Sequence, residues 1–295
     1  MDGWGHHGPV GVGDQVGGLL GVPVVRAEPL GGAVTGQRWR LGLADGRTAF
    51  VKSHPGAPDG YFAAEVAGLA LLTEATPYGG PQVPAVLAYD QRTLVLPWID
   101  AGSPTPAGAE RLGRELAALH AVGTAGYGAP WPGWVGAAEL DNRSCGDWPT
   151  FYVERRVEPY VRRLAEVHGL PASAAATFDR LAGRMAELAG PAEPPARIHG
   201  DLWSGNVLWA GDGRAWLVDP AAHGGHRETD LAMLGLFDAP HLGRVLAAYD
   251  EVAPLSAGWR ERVGLHQLHP LLVHAVLFGG GYGERAVRIA RGYVG

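Results

Sequence analysis

The sequence predicts an α+β chain in two unequal parts. Turn-punctuated segments of alternating polarity fill the first third, a polar, proline-bearing linker (AGSPTP, 101–106) follows, and helical periodicity dominates the remainder. The expected partition is a loose segment over 1–18, a strand-rich part over 19–100 and a larger, mainly helical part over 101–295.

The elements follow in order. Residues up to about Gly18 are rich in glycine and are read as loose. Alternation in QRWRLGL, the Asp45-Gly46 turn and the return segment TAFVKS predict a hairpin. In YFAAEVAGLALLTEA, Phe62, Glu65, Leu69 and Leu72 share one helical face, which sets the Glu65 carboxylate in an apolar stripe where it needs a partner. RTLVLPWID reads as a short buried strand ending at Pro97. Beyond the linker, AGAERLGRELAALHAVG carries Leu112, Leu116 and Leu119 on one side and stops at glycine. DWPTFYVERRVEPYVRRLAEVHG and SAAATFDRLAGRMAELAG are two more expected helices, NVLW and AWLVD are strands around a Gly-Asp-Gly turn, and the chain from Glu228 onward returns to helix.

Composition excludes several classes. Net charge is −6, which gives no footprint for a nucleic-acid backbone or an anionic membrane. No window approaches the ~18 uninterrupted apolar residues of a membrane span, and the opening MDGWGHHGPVGVGDQ has neither a basic nor an apolar leader region. The lone Cys145 forbids an intramolecular disulfide and fits a reducing cytoplasm, the expected location. Of 24 basic residues only Lys52 is lysine; the preference for arginine has a simple origin in codon usage, but it singles out one place that kept a compact ammonium.

The densest chemistry lies at 197–206, RIHGDLWSGN. Asp201 and Asn206 stand five positions apart, and Asp219 follows 18 residues after Asp201, at the end of AWLVD. The open end of a short hairpin would gather two carboxylates and a carboxamide oxygen, hard ligands suited to Mg²⁺. Phosphoryl transfer needs such parts: a carboxylate to orient the attacking hydroxyl, and metal ligands where phosphate charge must be neutralised. Upstream, Gly31 and Gly32 allow a backbone to approach phosphates, Lys52 lies on a strand and Glu65 on the following helix. Each feature alone has a plain structural explanation as a turn, a surface lysine or a strand terminator. Together they keep the order and spacing of a kinase.

On these residues the chain resembles the fructosamine kinase (ketosamine 3-kinase) family, relatives of the aminoglycoside phosphotransferases with a protein-kinase-like fold. The resemblance runs over about 29–278 and is most specific at Trp203 in HGDLWSGN, with YFAAEVAGLALL, LAALHAVG, DWPTFYVERRVEPYV and VDPAAHGGHRETDLAML also matching. It implies ATP and Mg²⁺ as cofactors and a ketosamine, free or protein-bound, as substrate, phosphorylated at the sugar 3-hydroxyl and thereby deglycated. It further implies that Asp201 faces that hydroxyl, that Asn206 and Asp219 hold Mg²⁺, and that Lys52 binds phosphates and pairs with Glu65. The PLGGAVTG loop would cover the phosphates, and Leu96, Pro97 and Trp98 would form the adenine-binding hinge; separately, a tryptophan-rich environment including Trp203 would suit stacking on a sugar face, although aromatic residues more often serve the core. Asp230 would brace the catalytic loop.

There are two departures. Ala33 replaces a common third glycine, and Pro97 replaces the usual hinge glutamate and removes an N–H, leaving a carbonyl and the neighbouring N–H groups to meet adenine. The alternatives are an aminoglycoside or macrolide phosphotransferase, a nucleotide-binding module without catalysis, and a zinc site from His266, His269 and His274, which Pro270 argues against by breaking their helix.

Overall fold

The computed structural model describes residues 9–31 and 35–295. Helix α1 (Pro9–Leu20) leads into strands β1 (Val24–Leu30), β2 (Gln37–Leu43) and β3 (Thr48–Ser53), followed by α2 (Tyr61–Thr73), β4 (Ala88–Tyr89) and β5 (Thr93–Pro97). The strands form one antiparallel sheet in the order β1-β2-β3-β5-β4. Odd residues of β2 and β3 bury Trp39, Leu41, Ala49 and Val51 on the face that α1 covers with Val12 and Val16. Even residues, Arg38, Arg40, Phe50 and Lys52, project from the other face.

Helix α1 corrects the reading of 1–18 as loose. Glycine content lowers its intrinsic helicity, but Val12 and Val16, one turn apart, are both buried against the sheet, and that packing outweighs propensity. Residues 1–8 lie outside the described part of the chain.

After the linker, the second part contains α3 (Pro106–Val122), the hairpin β6 (Gly133–Val135) and β7 (Ala138–Leu140), α4 (Trp148–Tyr152), α5 (Glu158–His168), α6 (Ala172–Gly183) and α7 (Met185–Leu188). Then come β8 (Ala196–Ile198), the hairpin β9 (Val207–Trp209) and β10 (Ala215–Leu217), β11 (His223–Gly225), and helices α8 (Arg227–Leu234), α9 (Leu242–Val252), α10 (Trp259–Phe278) and α11 (Tyr282–Val294). Strands β8 and β11 pair and carry the segments that enter the site, 199–206 and 218–222.

Two prolines are absorbed rather than obeyed. The stretch 148–168, expected as one helix, widens into a π turn at Val153–Val157. Pro159 has no N–H for the Arg155 carbonyl, which accepts a hydrogen bond from Arg156 Nη1 at 3.0 Å instead. Pro270 does not end its helix: α10 runs through it, buried on most sides. The ladder is opened just before it, where the Tyr152 hydroxyl donates to the Leu265 carbonyl at 2.6 Å and accepts from the His269 N–H at 3.2 Å. An inserted hydroxyl therefore bridges the turn that the proline loosens.

Candidate active site

Lys52 lies in β3 with Leu94 of β5 opposite it, and its side chain projects from the face away from α1. Its Nζ is 2.5 Å from Glu65 Oε1 on α2 and 2.7 Å from Asp219 Oδ1, just past β10. The three side chains are 13%, 11% and 26% exposed, so the pairing is shielded from bulk water. Burial alone would depress the ammonium's pKa, but Asp219 and Glu65 outweigh it and hold Lys52 above the ordinary lysine value. Burial pushes the Glu65 carboxyl up, with Lys52 opposing. It acts on Asp219 too, but there Lys52 and Arg38 prevail and keep the carboxyl below its usual range. Asp219 has φ +56°, a left-handed conformation that aspartate tolerates better than most residues and that recurs at functional sites.

Asp201 enters the same cavity as Lys52, Glu65 and Asp219. Asn206 Nδ2 donates to the Asp201 main-chain oxygen at 2.8 Å and to its Oδ2 at 3.0 Å. Burial, then repulsion from Asp219, raises the Asp201 carboxyl to about 8, with the Asn206 hydrogen bond pulling the other way. The loop is braced from below by Asp230, whose carboxylate accepts the His199 N–H at 2.7 Å and the Gly200 N–H at 3.0 Å and meets His120 Nε2 at 3.2 Å. His199 is the brace that sequence reasoning missed. Its Nδ1 accepts the Asp201 N–H at 3.3 Å, so its proton sits on Nε2 and is donated to the Val218 carbonyl at 3.0 Å. One neutral imidazole thus ties the Asp201 backbone to the residue before Asp219. Burial depresses its pKa, which suits that role.

The far wall of the cavity is aromatic: Tyr61, Trp131, Trp134, Trp203 and Phe278 line it. Trp134 comes from the β6–β7 hairpin, which the sequence reading did not assign, although WPGW at 131–134 is a visible turn between two tryptophans. Trp203 is 38% exposed and stands edge-on to Phe237 at 5.9 Å. Its ring lies over Gly205, where an added Cβ would fall 2.2 Å from the indole.

The hinge residues lie beside this cavity rather than in it. Leu96 is buried with Phe62, Leu69 and Leu94. Trp98 has its ring under the Arg40 guanidinium at 4.7 Å. Its N–H donates to the Thr48 carbonyl at 3.0 Å, so it is not free for a ligand, contrary to the expectation that the N–H groups next to Pro97 survive for adenine. Antiparallel ladders turn alternate residues to opposite sides. With Trp98 facing β3, the Pro97 carbonyl and the Ile99 N–H face away from it, and the N–H that Pro97 lacks is not one that β3 needs. Gly31 is exposed, with none of the described residues crowding the place a Cβ would take, while Gly32 and Ala33 lie outside the described residues. The glycine this loop does require is Gly36, at φ +65° with an added Cβ 2.3 Å from the Ser53 carbonyl oxygen.

The C-terminal histidines do not converge. His266 meets His226 and Glu228, whose ligand atoms lie within 4.8 Å of one another. Glu228 is already clamped by Arg262 Nε at 2.9 Å and Nη2 at 2.5 Å, so its carboxylate is spoken for. His274 lines the cavity instead and bonds the Pro270 carbonyl at 2.8 Å.

Residues 20–294 match the family described as fructosamine kinase. The crystal structure of a candidate fructosamine-3-kinase from Thermobifida fusca superposes with a TM-score of 0.92 at 47% identity, covering 97% of this chain and 99% of that one. A probable ketoamine kinase of Thermus thermophilus is 36% identical over 263 residues, 87% of this chain and 89% of its own. A chloroplastic protein-ribulosamine 3-kinase of Arabidopsis thaliana is 28% identical over 258 residues, 85% of this chain and 77% of its own. The gentamicin-bound APH(2″)-IIa structure, with a TM-score of 0.66 at 14% identity and coverage of 100% of this chain and 96% of that one, is alike in fold alone. The architecture is α+β and protein-kinase-like.

Proposed function

Because this chain belongs to the fructosamine kinase family, we infer that it is an ATP-dependent kinase acting on a ketosamine, the rearranged adduct of a sugar with an amine. One observation carries the reading to particular residues: the Lys52 ammonium is held between Glu65 and Asp219, at 2.5 and 2.7 Å, in the cavity that Asp201 enters. A buried ammonium flanked by carboxylates is a ready partner for phosphate oxygens, and a carboxylate across the cavity is placed to orient a hydroxyl.

In this mechanism the sugar 3-hydroxyl sits against Asp201, whose carboxylate orients it and takes its proton as the phosphoryl group is transferred. The Asn206 amide holds that carboxylate in one rotamer. Lys52 binds the phosphates and stabilises charge on the transferring group, and Glu65 fixes where the ammonium points. The donor set fits Mg²⁺. With Nδ2 of Asn206 committed to Asp201, its carboxamide oxygen is the remaining face, and Asp219 presents both carboxylate oxygens to the cations of the cleft. Mg²⁺, when bound, supplies neutralisation of phosphate charge. The Pro97 carbonyl and the Ile99 N–H form the acceptor–donor pair for adenine. The tryptophans facing Asp201 suit the apolar face of a sugar. The 3-phosphate product is unstable and releases the amine, so the physiological outcome is deglycation.

The reading is tested by incubating the protein with Mg-ATP and a panel of ribulosamine, fructosamine and aminoglycoside compounds, followed by mass spectrometry. A phosphate mass gain confined to ketosamines is expected. Gain on the aminoglycosides alone would move the assignment to another acceptor. If nothing gains phosphate while ATP still raises the melting temperature, catalysis is excluded.

A further inference from the structure

Arg38 is an arginine of this cleft to which neither the motif nor the mechanism above gives a role. It sits on β2 directly across from Lys52 in the β2–β3 register, two residues beyond Gly36. Like charges opposite one another on a sheet repel, so the pair needs an anion between them. Asp219 supplies it: Arg38 Nη2 is 3.3 Å from Oδ2 and Lys52 Nζ is 2.7 Å from Oδ1, one cation to each oxygen. The Arg38 side chain is 35% exposed and lines the cavity, so it is both engaged and accessible.

The charge balance shows why a second cation belongs here. Lys52 and Arg38 together cancel Glu65 and Asp219. Lys52 alone would leave this group with one excess negative charge, against which a triphosphate would have to enter. The longer of the two contacts to Asp219 is the arginine's, so a divalent cation held by Asp219 would displace the guanidinium more readily than the ammonium. The freed planar fork is the side chain best matched to phosphate oxygens, and it stands at the end of the loop expected to cover them.

We propose that Arg38 is a second phosphate-binding residue, which neutralises Asp219 in the free enzyme and passes to the nucleotide's phosphates when nucleotide binds. The proposal rests on the kinase reading above and deepens it. The experiment is calorimetric titration of ATP, ADP and adenosine, in Mg²⁺, into the wild type, Arg38→Gln and Arg38→Lys, with Mg²⁺ alone as a further titrant. Loss of one charge-assisted phosphate contact predicts an affinity for ATP about tenfold weaker in Arg38→Gln, with adenosine unchanged within about twofold and Arg38→Lys intermediate. ATP affinity that is unchanged or improved in Arg38→Gln, with Mg²⁺ binding tightened, would make Arg38 a counter-ion only and overturn the proposal. A wild type that binds no ATP would instead overturn the kinase reading itself, so the two failures are distinguishable.

Discussion

The raised Asp201 carboxyl makes a prediction that joins stability to catalysis. It titrates at about 8 in the folded protein against an ordinary 3.8, chiefly through burial and then through Asp219. A folded-state pKa above the unfolded value means that the native state holds the proton more tightly. The associated stability is fully present below about pH 4 and is lost as pH rises to about 8. At pH 7 the span is roughly three units, and at ~1.4 kcal/mol per unit the ceiling is about 4 kcal/mol. Asp201 opens onto the cleft, and solvent there screens the charge, so about 1–2 kcal/mol is the expected loss. Asp201→Asn keeps an acceptor for Asn206 but carries no charge. Its advantage in melting temperature over the wild type should therefore widen between pH 5 and pH 8 and level off above, reaching about 2–3 °C. Differential scanning fluorimetry without nucleotide or Mg²⁺ reads this directly. The same variant should lose turnover by about 10²–10⁴-fold, the usual contribution of a positioned base. A wild type that is the more stable protein at pH 8, or a gap constant with pH, would refute the electrostatic argument. Turnover within tenfold of wild type would remove Asp201 from proton transfer.

Three further perturbations test the surrounding structure. Lys52→Met removes the cation shared by Glu65 and Asp219; kcat should fall at least about a hundredfold and urea stability by about 1–3 kcal/mol, and turnover within tenfold would count against the phosphate role. Gly205→Ala places a methyl group where the Trp203 indole now lies; the ring can swing away, so KM for the ketosamine should rise several-fold while ATP affinity stays put, and an unaltered KM would detach Trp203 from the substrate. Asp230→Asn puts an amide donor against the His199 and Gly200 N–H groups; destabilisation of about 2–4 kcal/mol is expected, measured as a lower urea midpoint, and an unshifted midpoint would show that the loop does not depend on this brace.

What the sequence revealed was whatever rests on local repetition or short spacing. The β2–β3 hairpin is written in alternation and an Asp-Gly turn, and the Asp201–Asn206 interval is fixed by a single 3-10 turn. Glu65 betrayed itself as a carboxylate within an apolar stripe. The features that stayed hidden depend on partners distant in the chain. α1 is a poor helix until the back of the sheet is there to bury Val12 and Val16. Pro270 breaks an isolated helix; in this one, burial on most sides and the Tyr152 hydroxyl, 118 positions earlier, bridge the opened turn. Arg38 looks like any strand arginine until Asp219, 181 residues on, comes to lie beside it. The Trp98 N–H could be judged available only while its register against Thr48 was unknown.

The ion pairs at the site also join the two parts of the fold. Asp219 belongs to the larger, helix-rich part, while both cations that hold it, Lys52 and Arg38, belong to the sheet. The carboxylate that would ligate the metal is thus the same one that fixes the sheet over the catalytic loop. A metal held by Asp219 would alter those contacts, and on the proposed reading the cation released would be Arg38, with Lys52 still held by Glu65. On that reading charge would be exchanged within one cluster rather than created or buried anew, so that the cleft could accept a polyanion while keeping its parts aligned. With Glu65 anchoring Lys52 from α2, the ammonium has a second hold that Arg38 lacks. In the proposed exchange, that asymmetry would give the fixed role to Lys52 and the mobile one to Arg38.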